Sequence, residues 1–298
     1  MAFTPNIPTS NRFLAFIYGG SGVGKSTAYF SLLKNPKLKL VVFALDPTTD
    51  FAMQNCFNLF GIEDLNEGQL IYVKPDVAKL GSTASTLDGT DSTFLTNIIN
   101  NIHNSVGFDA KTGAKVSLKG IDNQSIFNEN TVLVFDGFSN FVLTCEAKAK
   151  SMSVTQNGNF DTMKAFKVEK ALIKGLTNKI ITSSSCHIIF CGHEQQSDAE
   201  AVAKYESLTS IHPYTGVRSL VSSICGDFSF VFYAKRNSLT NKFSLSVAEN
   251  KAFVRDKLDR IAFSKFAEEF NKDKKPVEKI SLSELPQDLT HPCYNGMI

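Results

Sequence analysis

The chain has 298 residues, 43% of them hydrophobic and 20% charged, with 31 Lys and Arg against 29 Asp and Glu for a formal charge of +2. That balance excludes a disordered chain, which lacks the apolar surface needed to fold. It also excludes a uniformly basic nucleic-acid binder, so any such surface has to be local.

Arg12–Tyr18 (RFLAFIY) is a short apolar run ending at Gly19, and Ser26–Leu33 (STAYFSLL) has helical spacing closed by Asn35-Pro36. Leu38–Leu45 is a nearly continuous apolar strand, as expected of a parallel strand covered on both faces. It runs into the polar turn Asp46-Pro47-Thr48-Thr49-Asp50. A helix over 51–60 and a strand over Gln69–Val73 follow. Residues 80–130 turn polar and read as an insertion, with an amphipathic helix near 94–106 and a hairpin about Thr112-Gly113. Thr131–Phe135 is a buried strand leading into Asp136, and Phe138–Lys150 is its helix. A Gly/Asn/Ser-rich loop over 151–159 precedes a helix over 161–184 and the strand Cys186–Cys191, which ends at Gly192-His193-Glu194-Gln195. Two last strands over 228–234 and 242–247 and a charged helix near 258–271 complete the chain. This alternation predicts an α/β fold, a mainly parallel sheet with helices on both faces. The division expected is one domain over 1–260 and a C-terminal helix and tail over 261–298.

The six cysteines contain no C-x-x-C pair, so their spacing indicates neither a zinc site nor a disulfide framework. No apolar run approaches the ~18 residues of a membrane span, and no basic flank precedes an apolar segment at the N-terminus. The expectation is a cytoplasmic protein with no membrane partner.

Gly19-Gly20-Ser21-Gly22-Val23-Gly24-Lys25-Ser26 satisfies G-x-x-x-x-G-K-[ST] between a strand and a helix. Glycines let main-chain N–H groups converge on a β-phosphate, and a helix N-terminus adds its positive end. In this arrangement Lys25 reaches the β- and γ-phosphates, Ser26 ligates Mg²⁺ and Thr27 bonds the α-phosphate. Asp136 follows four apolar residues, the Walker B pattern of a carboxylate at a strand tip that holds Mg²⁺ through water. Gly137 follows it, so a second acid has to come from elsewhere. No N-K-x-D guanine-reading motif is suitably placed, which favours ATP.

The order of phosphate loop, Asp-rich turn, late VLVFDGFSN and a strand ending in Gly192-His193 resembles a RecA-type P-loop ATPase core. It is most similar to phage-encoded RecA-superfamily nucleotide-binding proteins, some of which act as single-strand-annealing recombinases. Pro213-Tyr214-Thr215-Gly216 followed by Gly226-Asp227-Phe228 is similar to that family's P-x-x-x-G connection and following strand. The resemblance spans residues 13–260, and the phenylalanine-rich, tryptophan-free composition suits a phage genome.

The resemblance implies ATP hydrolysis with Mg²⁺, a homo-oligomer and single-stranded DNA as partner. It places a water-polarising acid at the tip of the second core strand, where Thr48 occupies the matching position; Asp50 is the favoured acid there, with Asp46 as a strand-end or Mg²⁺-shell residue. His193 falls at the polar γ-phosphate sensor, with Glu194 as the reserve candidate for water activation. Lys251 and Arg255 are similar to the basic pair inserted by a neighbouring subunit. Lys204 and Arg218, with Lys235 and Arg236, are the basic candidates for DNA. A nucleotide-dependent scaffold without turnover and a small-molecule kinase stay open as alternatives; no Arg-rich lid is present in the sequence to favour the kinase.

Overall fold

The computed structural model describes residues 12–73, 106–118, 125–154, 158–196, 211–247, 267–275 and 279–294. The elements in chain order are β1 (Leu14–Gly19), α1 (Lys25–Phe30), β2 (Lys39–Ala44), α2 (Thr49–Phe60), β3 (Leu70–Val73), β4 (Val106–Asp109) and β5 (Lys115–Ser117). After these come β6 (Thr131–Asp136), α3 (Phe138–Ser151), α4 (Thr162–Ser183), β7 (His187–Gln196), β8 (Ile211–Pro213), α5 (Val221–Cys225), β9 (Phe230–Arg236), β10 (Phe243–Ser246) and β11 (Leu285–Pro286).

The sheet runs β11-β10-β9-β1-β7-β6-β2-β3-β4-β5, with β8 paired to the end of β7. Its centre, from β9 to β3, is parallel throughout. The added strands at either side are antiparallel. The molecule is therefore a mixed α/β fold on a large, mostly parallel sheet. The two-residue period of the strands explains the layering. In β1, Phe16 and Tyr18 face a core shared with Phe138, Phe141, Ile173 and Ile180 of α3 and α4. Ala15 and Ile17 face the opposite core, with Ala28 and Phe30 of α1, Cys56 of α2 and Leu285 and Tyr294 near the C-terminus. Both faces are apolar, which is why these central strands read as unbroken apolar runs.

Several boundaries differ from the sequence reading. Helical spacing over 26–33 becomes α1 plus a tighter 3-10 turn over Ser31–Lys34. The strand expected to stop at Cys191 continues through Gln196, because Glu194–Gln196 pair with Ile211–Pro213 of β8 and so keep their backbone partners. Part of the stretch read as an insertion is integral to the sheet: β4 adds to the β3 edge and turns into β5 through Gly113, whose φ is 69°. The helix near 94–106 lies outside the described residues up to 105, and Val106 is in a strand. Of the helix near 258–271, residues 267–271 are described and helical. Residues 279–294, read as tail, enter the second core: Leu285, Leu289, Cys293 and Tyr294 are buried. All six cysteines are buried free thiols, and among the described residues no helix is long and apolar enough to cross a membrane.

Candidate functional site

Parallel register brings the tips of four strands to one edge of the sheet. Gly19 of β1 pairs with His193 of β7, Asp136 of β6 with Cys191 of β7, and Ala44 of β2 with Asp136. Residues immediately beyond these tips share one crevice, the place where open parallel sheets present their functional groups. A cleft of about 330 Å³ lies there, lined by Ser21, Gly22, Gly24, Lys25, Ser26 and Thr27 on one side and Asp46, Asp136 and His193 on the other.

The loop after β1 depends on missing side chains. Gly22 and Gly24 have φ of 69° and 83°, the left-handed region that favours glycine. A Cβ at Gly19 would collide with the Ala234 carbonyl oxygen of β9. Within the loop Lys25 curls back so that its ammonium donates to Gly20 O at 2.6 Å and Gly19 O at 3.1 Å. Burial lowers the Lys25 pKa, opposed by the neighbouring Cys191, Asp136, Asp46 and Glu194.

Asp136 is the buried centre of the site. Its Oδ2 accepts from Tyr29 OH at 2.8 Å, Thr49 Oγ1 at 2.9 Å and Ser26 Oγ at 3.1 Å. Thr49 shares its single proton with Asp46 O at 2.7 Å. Burial raises the Asp136 pKa, and the Tyr29, Thr49 and Ser26 hydroxyls oppose that rise by favouring the ionised form. Tyr29 and Thr49 are site residues that sequence reasoning missed. The only trace they left was a tyrosine and a threonine in elements otherwise read as apolar helix and polar turn.

Gly137 shows why no second acid follows Asp136. Its φ is 103°, and a Cβ there would sit 2.6 Å from Asp46 N. The close approach is held by Leu45 N and Asp46 N, which donate to Asp136 O at 2.8 and 3.0 Å. An acidic side chain at 137 would push the Asp46 turn away from the cleft.

That turn sets the remaining acids. Asp46 Oδ1 accepts from Thr48 N at 2.9 Å and Thr48 Oγ1 at 2.7 Å, while Oδ2 lies 3.7 Å from His193 Nε2. Pairing with His193, then the Thr48 amide and hydroxyl, hold its pKa down to about 2. His193 is itself fixed by its backbone N–H, which donates to Ser139 Oγ at 2.9 Å. Asp50, the acid favoured from sequence, sits in the first turn of α2 beside Tyr72 and is not among the cleft-lining residues, whereas Asp46 and Thr48 are. Glu194 approaches the loop from the β7 side. A Cβ at Gly20 would be 3.5 Å from its Oε1, and its Oε2 is buried with no hydrogen-bond partner among the described residues.

The basic candidates are dispersed. Arg218 lies in a 3-10 turn over Arg218–Leu220, beside α4, where Lys170 reaches Ser219 Oγ at 3.4 Å. Lys235 and Arg236 end β9, and the Arg236 guanidinium stacks over Phe243 at 5.3 Å, a ring that lines the cleft. Lys204, Lys251 and Arg255 lie outside the described residues.

Chemically, the site offers main-chain amides and an ammonium group to an anion, and a hydroxyl beside a carboxylate to a hard cation. Among the described residues no group of three His, Cys, Asp or Glu could hold a metal alone. Ser26 and Asp136 instead suit Mg²⁺, which prefers oxygen ligands and is commonly bound through one or two protein groups plus phosphate. No protein-family model matches the chain, and no curated protein matches it either.

Proposed function

We propose that the protein binds Mg-ATP at this cleft and hydrolyses it to ADP and phosphate, as a RecA-like P-loop ATPase. One observation carries the reading: a complete G-x-x-x-x-G-K-S loop in a strand-to-helix turn, with Lys25, Ser26 and the buried carboxylate of Asp136 lining one cleft. The loop amides and Lys25 would bind the phosphates. Ser26 and Asp136 would hold magnesium, which supplies charge neutralisation when bound.

The placement of β7 between β1 and β6 supports a sensor role for His193, since its tip stands between the phosphate loop and Asp136. For orienting water, geometry favours Asp46 and Glu194 over Asp50, because both lie against the loop or cleft. Turnover by a homo-oligomer on single-stranded DNA rests on the RecA-type resemblance. A nucleotide-dependent scaffold is the second reading, favoured by the glycine at 137 and by Asp50 standing outside the cleft.

Phosphate release by the wild type and Lys25→Ala, measured across a titration of single-stranded DNA, tests the proposal. Lys25-dependent turnover that rises with DNA supports the recombinase reading. Tight Mg-ATP binding without turnover supports the scaffold. ADP formation only with a small-molecule acceptor would point to a kinase, and no affinity for any magnesium nucleotide would end the proposal.

A further inference from the structure

We infer that the C-terminal segment is part of the phosphate site, and that Gln287 is the positioning residue through which it acts. The inference rests on the phosphate-site reading above. The Gln287 side-chain amide donates to Gly24 O, the carbonyl at the N-cap of α1 that also accepts from Ala28 N at 3.1 Å. The fit is close enough that a Cβ at Gly24 would overlap the Gln287 amide.

The consequence follows from the planarity of the peptide bond. Gly24 C=O and Lys25 N–H belong to one trans unit, so they point in opposite directions. Two donors holding the carbonyl from behind fix the direction of the Lys25 N–H in front, where it belongs to the main-chain nest facing the phosphates. Gly24, at φ 83° and ψ 27°, is the residue about which that unit could otherwise turn, because glycine resists rotation least.

Gln287 is well anchored for this task. β11 pairs with β10, matching Leu245 to Leu285 and Ser244 to Pro286. Leu289 N donates to the buried Ser31 Oγ at 2.8 Å, and Lys34 pairs with Asp288 at 2.5 Å. Leu289 and Tyr294 are each 2% exposed, and Tyr294 OH returns to Pro286 O at 2.6 Å. The segment thus grips the 3-10 turn after α1 while Gln287 reaches Gly24 at the start of α1. By reciprocity of linked equilibria, if the docked segment favours nucleotide binding, nucleotide must favour docking by the same factor.

Titration calorimetry of the full chain with Mg-ATP tests this on Gln287→Ala and Gln287→Glu. Loss of one neutral hydrogen bond should weaken binding by Gln287→Ala about three- to tenfold. Gln287→Glu should weaken it more, since a carboxylate has no proton for Gly24 O and repels the incoming phosphates. Wild-type affinity in both variants, even with a lowered unfolding temperature, overturns the inference alone. A wild type that binds no magnesium nucleotide overturns the phosphate-site reading together with it. Should Gln287→Ala fail to fold, hydrogen exchange of the wild type decides. Mg-ATP should slow exchange at the Leu289 amide and its neighbours, and unchanged exchange there under saturating nucleotide overturns the inference.

Discussion

Tyr29→Phe isolates one of the three hydroxyls that hold Asp136. Tyr29 is fully buried and its OH donates to Asp136 Oδ2 at 2.8 Å, so the substitution removes one charge-assisted hydrogen bond and only a single oxygen atom of volume. Such bonds contribute about 1.5–3 kcal/mol. Spread over a 298-residue chain with an unfolding entropy of roughly 2.1 cal/mol/K per residue, that corresponds to a Tm lower by about 2–5 °C.

The pH dependence gives the stricter test. Burial raises the Asp136 pKa above its ordinary value of 3.8, so the folded chain holds this proton more tightly than the unfolded chain does. Stability therefore falls as pH rises through the folded pKa, and the Tyr29 hydroxyl offsets part of that fall by favouring the carboxylate. The variant should match the wild type most nearly at acidic pH, where Asp136 is protonated, and diverge from it as pH rises. If Asp136 helps to hold Mg-ATP as proposed, binding needs the carboxylate and should move to higher pH in the variant. Thermal melts from below pH 3.8, where the carboxyl is protonated in both states, up to pH 8, with parallel calorimetry, measure both effects. A stability difference that stays constant across that range, with an unshifted binding profile, would show that the hydroxyl does not act on an ionised Asp136.

Three further substitutions address the rest of the site. If the cleft binds Mg-ATP as proposed, Lys25→Ala loses two charge-assisted contacts to phosphate and should weaken binding by about 100-fold or more, measured by calorimetry. Asp46→Asn should cost about 1 kcal/mol or less at neutral pH once solvent screening of this partly exposed group is allowed for, because a carboxylate held to about 2 contributes stability above pH 4 that is lost as pH falls through 2. Urea unfolding at pH 7 and pH 3 reads this as a difference that shrinks with acidification. Glu194→Gln keeps the shape of the side chain beside Gly20 but removes its basicity, so phosphate release should show a lower kcat with KM nearly unchanged; a KM effect alone would assign Glu194 to binding.

Much of this architecture was legible because the relevant signals are local. The glycine spacing from Gly19 to Gly24 states where left-handed backbone is needed, and unbroken apolar runs ending in Asp46, Asp136 and His193 state which strands are buried on both faces. The G-x-x-x-x-G-K-S pattern needs nothing beyond eight consecutive residues and their strand-to-helix setting. Element edges shifted where long-range pairing decided them, as in β7, which Ile211–Pro213 extends to Gln196.

What tertiary structure alone decided is which distant groups meet. Lys25 and Asp136 are 111 positions apart in sequence, and only the register that places β7 between β1 and β6 brings them to one edge. The choice of Asp46 over Asp50 as the cleft acid turns on where β2 ends and α2 begins, since four residues of separation put the two side chains on different sides of a helix start. The contact of Gln287 with Gly24 spans 263 residues and carries no motif, because a neutral side-chain amide bonding a backbone carbonyl imposes no pattern on the sequence around either partner. Short-range steric and hydrogen-bonding preferences leave a trace in consecutive residues, whereas packing of remote segments is written only in the folded chain.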